Sequence, residues 1–233
     1  MMSKLNGLVR IAPVQSSKKP HCAVGQSTIR RPTVCMTRDS DGLSATEEEI
    51  MHATHRALVN SGYAELSISL ISDELDKAKS TIYHYYDSKD ALLLRFLRFT
   101  VNRFEETINT SIGDHPKEDL NHIITTLLPC DLTEEKRQLH SILVTLSPQA
   151  LEQEVFREQF TEIDARLSTI IEKTVRRGID ANVFRAADPA HVAEYILATI
   201  KGTMYSRLTT NREAATVAAK SSLSSYIDSH LIS

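Results

Sequence analysis

Between Ser67 and Lys89 the chain carries a run of hydrogen-bonding side chains at helical spacing. Lys79, Ser80, Thr81, Tyr83 and His84 share one side of a short helix, while Ile82 and Tyr86, four apart, share the other. The apolar pair must face inward. The polar set then faces outward at the helix start, where hydroxyls, an imidazole and an ammonium suit the base edges and phosphates of duplex DNA. Lys89, at the start of the next helix, adds a second phosphate ligand. Other chemistries are poorly served. Glu49, His52 and His55 recur at intervals of three, but a carboxylate-bridged metal bundle needs two Glu-x-x-His motifs and the sequence has no second. His52 and His55 therefore read as a solvated face. Cys22, Cys35 and Cys130 form no C-x-x-C pair, so neither a zinc site nor a disulfide frame is expected. There is no Gly-rich phosphate loop or nucleophile elbow. The expectation is a protein with no catalytic residue, no metal and no cofactor, and not an enzyme.

The elements that must hold this face can be read around it. Ser67 caps a first short helix whose inward side is Ile71 and Leu75. A break at Asp76 to Ala78 separates it from the second. Helices this short do not persist alone, so they must pack on each other and on a longer helix before them. That helix is expected over 46–61, from a Thr46/Glu49 capping box to Gly62, with Ile50, Ala53, Ala57 and Leu58 inward. Asp87 or Ser88 caps a long helix running to about Ile112 on a stripe of Leu92, Leu93, Phe96, Val101, Phe104 and Ile108. Further helices are expected at 117–128, 133–146, 150–177, 189–208 and 213–232. Pro129, Pro148, Gly178 and Pro189 punctuate them, with Asp188 as the cap before a first-turn proline. No convincing strand appears. The fold class is all-α: an N-terminal three-helix helix-turn-helix unit over 44–92 and a helical bundle over 93–233.

The charge is uneven. The chain has 233 residues, 27 Lys+Arg and 30 Asp+Glu. Seven of the bases and none of the acids fall in the first 38 residues, which leaves 20 bases against 30 acids in the rest. Residues 1–40 read as a disordered basic tail: either an arm that touches DNA or membrane, or a functionless stretch, which an alternative start at Met36 would leave out. Residues 46–92 hold four bases (Arg56, Lys77, Lys79, Lys89) against nine acids, a net −5. An acidic DNA-binding unit fits a protein adapted to high salt, where repulsion is screened. No apolar run approaches the ~20 residues of a membrane helix, and no apolar signal core leads the chain. A cytoplasmic protein that does not enter membranes is expected.

The run Ser80-Thr81-Ile82-Tyr83-x-Tyr85-Tyr86-x-Ser88-Lys89-x-x-Leu92, with Ile50 and Ala53 ahead of Gly62-Tyr63 and Ile71 in the first motif helix, resembles the tetracycline-repressor (TetR) family of regulators. The resemblance covers about 45 residues. It implies that Lys79, Ser80 and Thr81 meet bases and the adjacent phosphate. It implies that Tyr83, His84 and Tyr85 clamp phosphates, that Lys89 contacts the backbone, and that Ser67 and Ser69 add phosphate contacts. Two positions depart from the family: Asp76 stands where Gly is usual at the turn, and Ala78 where a capping Ser is usual. For the rest of the chain the resemblance implies a homodimer built on the last two long helices, bound to a palindromic double-stranded operator and released by a small-molecule effector of unknown identity. An effector pocket would lie among the middle helices, with Phe156, Phe160 and Tyr195 as lining. The stripe Val192, Tyr195, Ile196, Thr199 and Ile200 would serve the dimer. The segment Thr174 to Ala190 is similar to the C-terminal domains of the betaine/choline-type regulators. Two other classes stay open at this point: a helical enzyme or metal carrier, and a helical adaptor that has lost DNA binding.

Overall fold

Serines and threonines mark where the helices begin. In the computed structural model, which describes residues 42–232, the first helix (α1, Ala45–Glu65) starts at Ser44. Ser44 Oγ accepts from the Glu47 amide and Glu47 reaches back to the Ser44 amide, a reciprocal capping box. The expected Thr46/Glu49 box is thus two residues too late. Leu43 packs against the core and fixes the earlier start. Gly62 breaks α1 with φ 71° and ψ 175°, a conformation that favours glycine, and a short turn leads on. Ser67 caps α2 (Ile68–Leu75), and Ser88 caps α4 (Lys89–Asn109), each accepting from the amide three residues on. Between them lies α3 (Lys79–Tyr85).

The second half follows as α5 (Pro116–Leu127), α6 (Glu134–Leu146), a single turn α7 (Gln149–Glu152) and α8 (Glu154–Asp180). The expected helix 150–177 is divided by the extended residue Gln153. Asp188 caps α9 (Pro189–Thr209) with Pro189 in its first turn, as its sequence predicts. Last come α10 (Glu213–Tyr226) and a π-helical turn (Ile227–Leu231), where one helix to 232 is expected. Among the described residues the only extended pairing is an isolated antiparallel bridge between Phe184 and Ile232. The tail 1–40, with Met36, Cys22 and Cys35, lies outside the described residues.

Two apolar cores organise these helices. The first joins Ile50, Ala53 and Ala57 of α1 to Ile71, Ile82 and the Leu92–Leu97 side of α4, and extends to Ile142, Leu146, Phe156 and Ile163. The second joins Ile108 to Leu120, Val175, Ile196, Ile200, Leu223 and Ile227. Each such Leu, Ile, Val or Phe side chain, fully withdrawn from water, contributes about 1.5–3 kcal/mol. α4 runs through both cores and is the beam between them. A polar latch stiffens its far end. Arg177 donates to Asp119 at 2.5 Å and to the Gly113 carbonyl at 2.6 Å, while Asp119 accepts from the Gly113 amide. Asp119 is nearly inaccessible, so loss of Arg177 would leave a buried polar group without its main partner.

α9 corrects the stripe read from sequence. Val192, Ile196 and Ile200 are buried in the second core of their own chain. Tyr195 and Tyr205 point outward, as does Gly202, which meets nothing on its open side. The physical reason is that α9 has two apolar sides, and α8 and α10 cover one of them. Gly178 lies in a much tighter place. A Cβ there would stand 2.1 Å from the Phe184 ring, so the close of α8 admits only glycine.

Candidate nucleic-acid interface

α2 and α3 are joined by a turn that the sequence prepares. Asp76 takes the left-handed conformation (φ 54°, ψ 39°), and its amide donates to the Ser72 and Asp73 carbonyls. Asp is among the non-glycine residues that accept this region most readily. Ser72 Oγ then donates to the Lys77 carbonyl at 2.5 Å and ties the turn shut. α3 starts at Ala78 without any side-chain cap. What holds α3 is Ile82, fully buried, and Tyr86, 7% exposed, both on the first core. Burial pushes the Tyr86 phenol up to about 12, with the Glu47 charge adding to it.

The opposite side of α3 is open. Lys79, Ser80, Tyr83, His84 and Tyr85 are exposed and Thr81 is half-buried. Tyr83 is 53% exposed, its ring standing out from the surface of α3. His84 packs edge-on to Tyr85 at 5.1 Å, which pre-orients both rings. Ser67 and Ser69 lie half-buried at the start of α2, Ser67 already engaged as a cap. The structure therefore brings the predicted residues of α3 onto one surface.

The cations of this unit are mostly engaged elsewhere. Arg56 donates to Glu74 at 3.2 Å and to its carbonyl at 2.6 Å, and Asn60 donates to the same carboxylate at 2.8 Å. Lys77 pairs with Glu49. These contacts clamp α2 and the turn onto α1. Lys89 is also engaged within the chain. Its ammonium donates to the Leu66 carbonyl at 3.2 Å and stands 4.6 Å from the centre of the Tyr63 ring. It closes the α1–α2 corner onto the start of α4. That leaves Lys79, on the outward side of α3, without a protein partner among the described residues.

A second feature lies behind the first core. A cavity of about 530 Å³ opens between α1, α4, α5 and α6. Its aromatic wall is Phe96, Phe99 and Phe104 of α4. His55 stacks on Phe96 (6.4 Å) and His52 meets Phe99 edge-on (5.7 Å), so α1 builds part of that wall. Arg103, His122, Thr126 and Lys136 supply its polar groups. His52 is exposed, as a solvated face requires, and His55 is half-buried; the partners that turn this face into a cavity mouth come from helices far along the chain. The residues expected to line a pocket sit elsewhere. Phe156 is fully buried in the first core and Phe160 packs against it, while Tyr195 lies on the surface against Tyr226 at 4.8 Å. An aromatic residue alone does not distinguish core from cavity. Among the described residues no cluster of His, Cys, Asp and Glu could hold a metal ion, and no helix is long and apolar enough to cross a membrane.

Residues 50–96 match the family model for bacterial regulatory proteins of the tetR family, and residues 116–232 match that of the BetI-type transcriptional repressor C-terminal region. The HTH-type transcriptional repressor AcnR of Corynebacterium efficiens is 22% identical over 165 residues, covering 71% of this chain and 82% of that protein. The crystal structure of a TetR transcription regulator from Haloarcula marismortui superposes with a TM-score of 0.74 at 32% identity, covering 81% of this chain and all of that one. A transcriptional regulator from Saccharomonospora viridis, solved in complex with choline, superposes with a TM-score of 0.70 at 22% identity, covering 82% of this chain and all of that one.

Proposed function

The chain belongs to the TetR family of transcriptional regulators, and on that footing we propose that it is a homodimeric repressor held on a palindromic operator and released by a small-molecule effector. The observation that carries the DNA half is the outward side of α3, exposed and polar on a helix whose other side is buried. Lys79, Ser80 and Thr81 read base edges and the adjacent phosphate. Tyr83, His84 and Tyr85 hold phosphates, and Ser67 and Ser69 extend the contact along the backbone. Lys89 acts chiefly by fixing the entry of α4.

The dimer uses the outward sides of α9 and α10. Tyr195, Gly202 and Tyr205 on α9, and Ala214, Val217 and Ala218 on α10, are exposed and small or aromatic, which suits close helix packing. A two-fold pair would set two copies of α3 in successive major grooves about 34 Å apart. The effector site is the cavity behind the first core. An occupant favouring one α1–α4 arrangement shifts the spacing of the paired α3 helices, and operator affinity falls by its differential binding energy. Such a protein works in the cytoplasm, where its DNA is.

Selection of bound genomic fragments followed by gel shift tests this reading. Tyr83→Ala should weaken binding to every fragment alike. Lys79→Ala and Thr81→Ala should also relax sequence preference, by about 1–3 kcal/mol at the positions they read. Unchanged affinity in all three would remove α3 as the reading helix.

A further inference from the structure

We propose that the cavity between α1, α4, α5 and α6 takes an organic anion, a carboxylate head carried on an apolar or aromatic body. The proposal rests on the reading of that cavity as the effector site and names the chemistry the effector must have. The body of this chain carries ten more acids than bases, yet the cavity lining contains no Asp or Glu. It contains Arg103 and Lys136. Neither has a carboxylate partner among the described residues, whereas Arg56, Arg98, Arg166, Arg177, Lys77 and Lys201 all do. In an acidic protein, two cations left unpaired at one opening are available to a ligand.

Their placement suits a carboxylate. The Arg103 guanidinium lies over the Phe99 ring with its carbon 5.6 Å from the ring centre. Held over a ring, it keeps N–H groups for both oxygens of one carboxylate. Lys136 stands on α6, on another wall of the same opening, as a second positive charge. Thr126 and His122, 3.4 Å apart on α5, offer further hydrogen bonds. Phe96, Phe99, Phe104 and Leu139 accept an apolar body. A volume of about 530 Å³ lies within the range of small-molecule sites. The positive field reaches past the lining: His140, packed at 6.2 Å on Phe104, is held neutral by burial and by the charges of Arg207 and Lys136. A quaternary ammonium would need the reverse arrangement, aromatics backed by acids. Glu48, 3.9 Å from His52 Nε2, is half exposed and does not line the cavity.

The wall that receives the head group also belongs to α1. Phe99, under Arg103, is the ring that His52 meets, and His55 stacks on the next. An anion drawn onto Arg103 therefore bears on the helix that carries α2 and α3.

Isothermal titration calorimetry of the full chain tests this with benzoate, octanoate and phenylacetate as anions, benzamide as the uncharged counterpart of benzoate, and choline as a cation. At least one of the three anions is expected to bind, benzamide at least tenfold more weakly than benzoate, and choline not at all. Arg103→Gln and Lys136→Gln should each weaken anion binding tenfold or more. Arg176→Gln, an exposed arginine on α8 away from the cavity, should not. Silence from all three anions overturns the proposal, as does equal binding of benzoate and benzamide, or an Arg103→Gln variant with unaltered affinity. A gel shift in parallel separates the two readings. Anion binding that leaves operator affinity unchanged supports the anion site and removes the effector reading.

Discussion

His140 is a histidine that the fold keeps uncharged. Burial first, then the positive charges of Arg207 and Lys136, bring its pKa from the ordinary 6.5 down to about 4. Between those values the unfolded chain binds a proton that the folded chain refuses. The stability this residue contributes is whole above pH 6.5 and falls as the solution is acidified toward pH 4, by an amount on the order of 3 kcal/mol. Urea midpoints across that window should fall with pH, and His140→Leu should flatten the fall; an unaltered slope would mean His140 protonates without penalty. Lys89 gives a second prediction at this scale. Its bond to the Leu66 carbonyl and its place over Tyr63 make it structural, so Lys89→Ala should lower stability by about 1 kcal/mol as well as weaken DNA binding. A variant that loses DNA affinity at an unchanged urea midpoint would return Lys89 to a purely phosphate-binding role.

At the scale of elements, α3 is held by its burial and not by its start. Ala78→Ser supplies the missing cap and should raise stability by about 1 kcal/mol, read as a higher melting temperature. Gly178→Ala should do the opposite: the new methyl would collide with the Phe184 ring, and overpacking of this kind costs about 1–3 kcal/mol. Local signals of this type were legible in the sequence. Ser67, Asp76, Ser88 and Asp188 each act within four residues of themselves, and each does what its position announces. The start of α1 was harder, since Ser44/Glu47 and Thr46/Glu49 both satisfy the capping pattern and only the packing of Leu43 decides between them. The outward side of α3 followed from two apolar residues four apart. The cavity did not follow at all. Its walls are contributed by four helices spread over some ninety residues, from His52 to Leu139, and nothing in the periodicity of one helix shows that its polar side will be roofed by another.

At the scale of the whole molecule, charge and symmetry set what can be measured. With Arg56, Lys77 and Lys89 engaged within the chain, Lys79 is the described cation that each copy of α3 offers to phosphate. For a dimer lacking residues 1–41, log affinity against log salt should therefore fall with a shallow slope, roughly −2. A slope several times steeper would mean that the clamps on α1 release their cations to DNA. Tyr205→Glu would set like charges across the two-fold axis of the proposed dimer, so light scattering should report monomers and the full operator should no longer be preferred over a half-site; an intact dimer would place the interface elsewhere. The rings of His52 and His55 against Phe99 and Phe96 carry a consequence for engineering and for descent. On the proposed reading, the head that reads DNA owns part of the sensor. A chimera that joins this chain's later helices to a foreign reading head would arrive with a wall missing, unless the graft brought those two histidines with it. If the cavity is the effector site, choice of operator and taste for a ligand are not separable cassettes here, and a lineage that altered one would have had to renegotiate the other through the same helix.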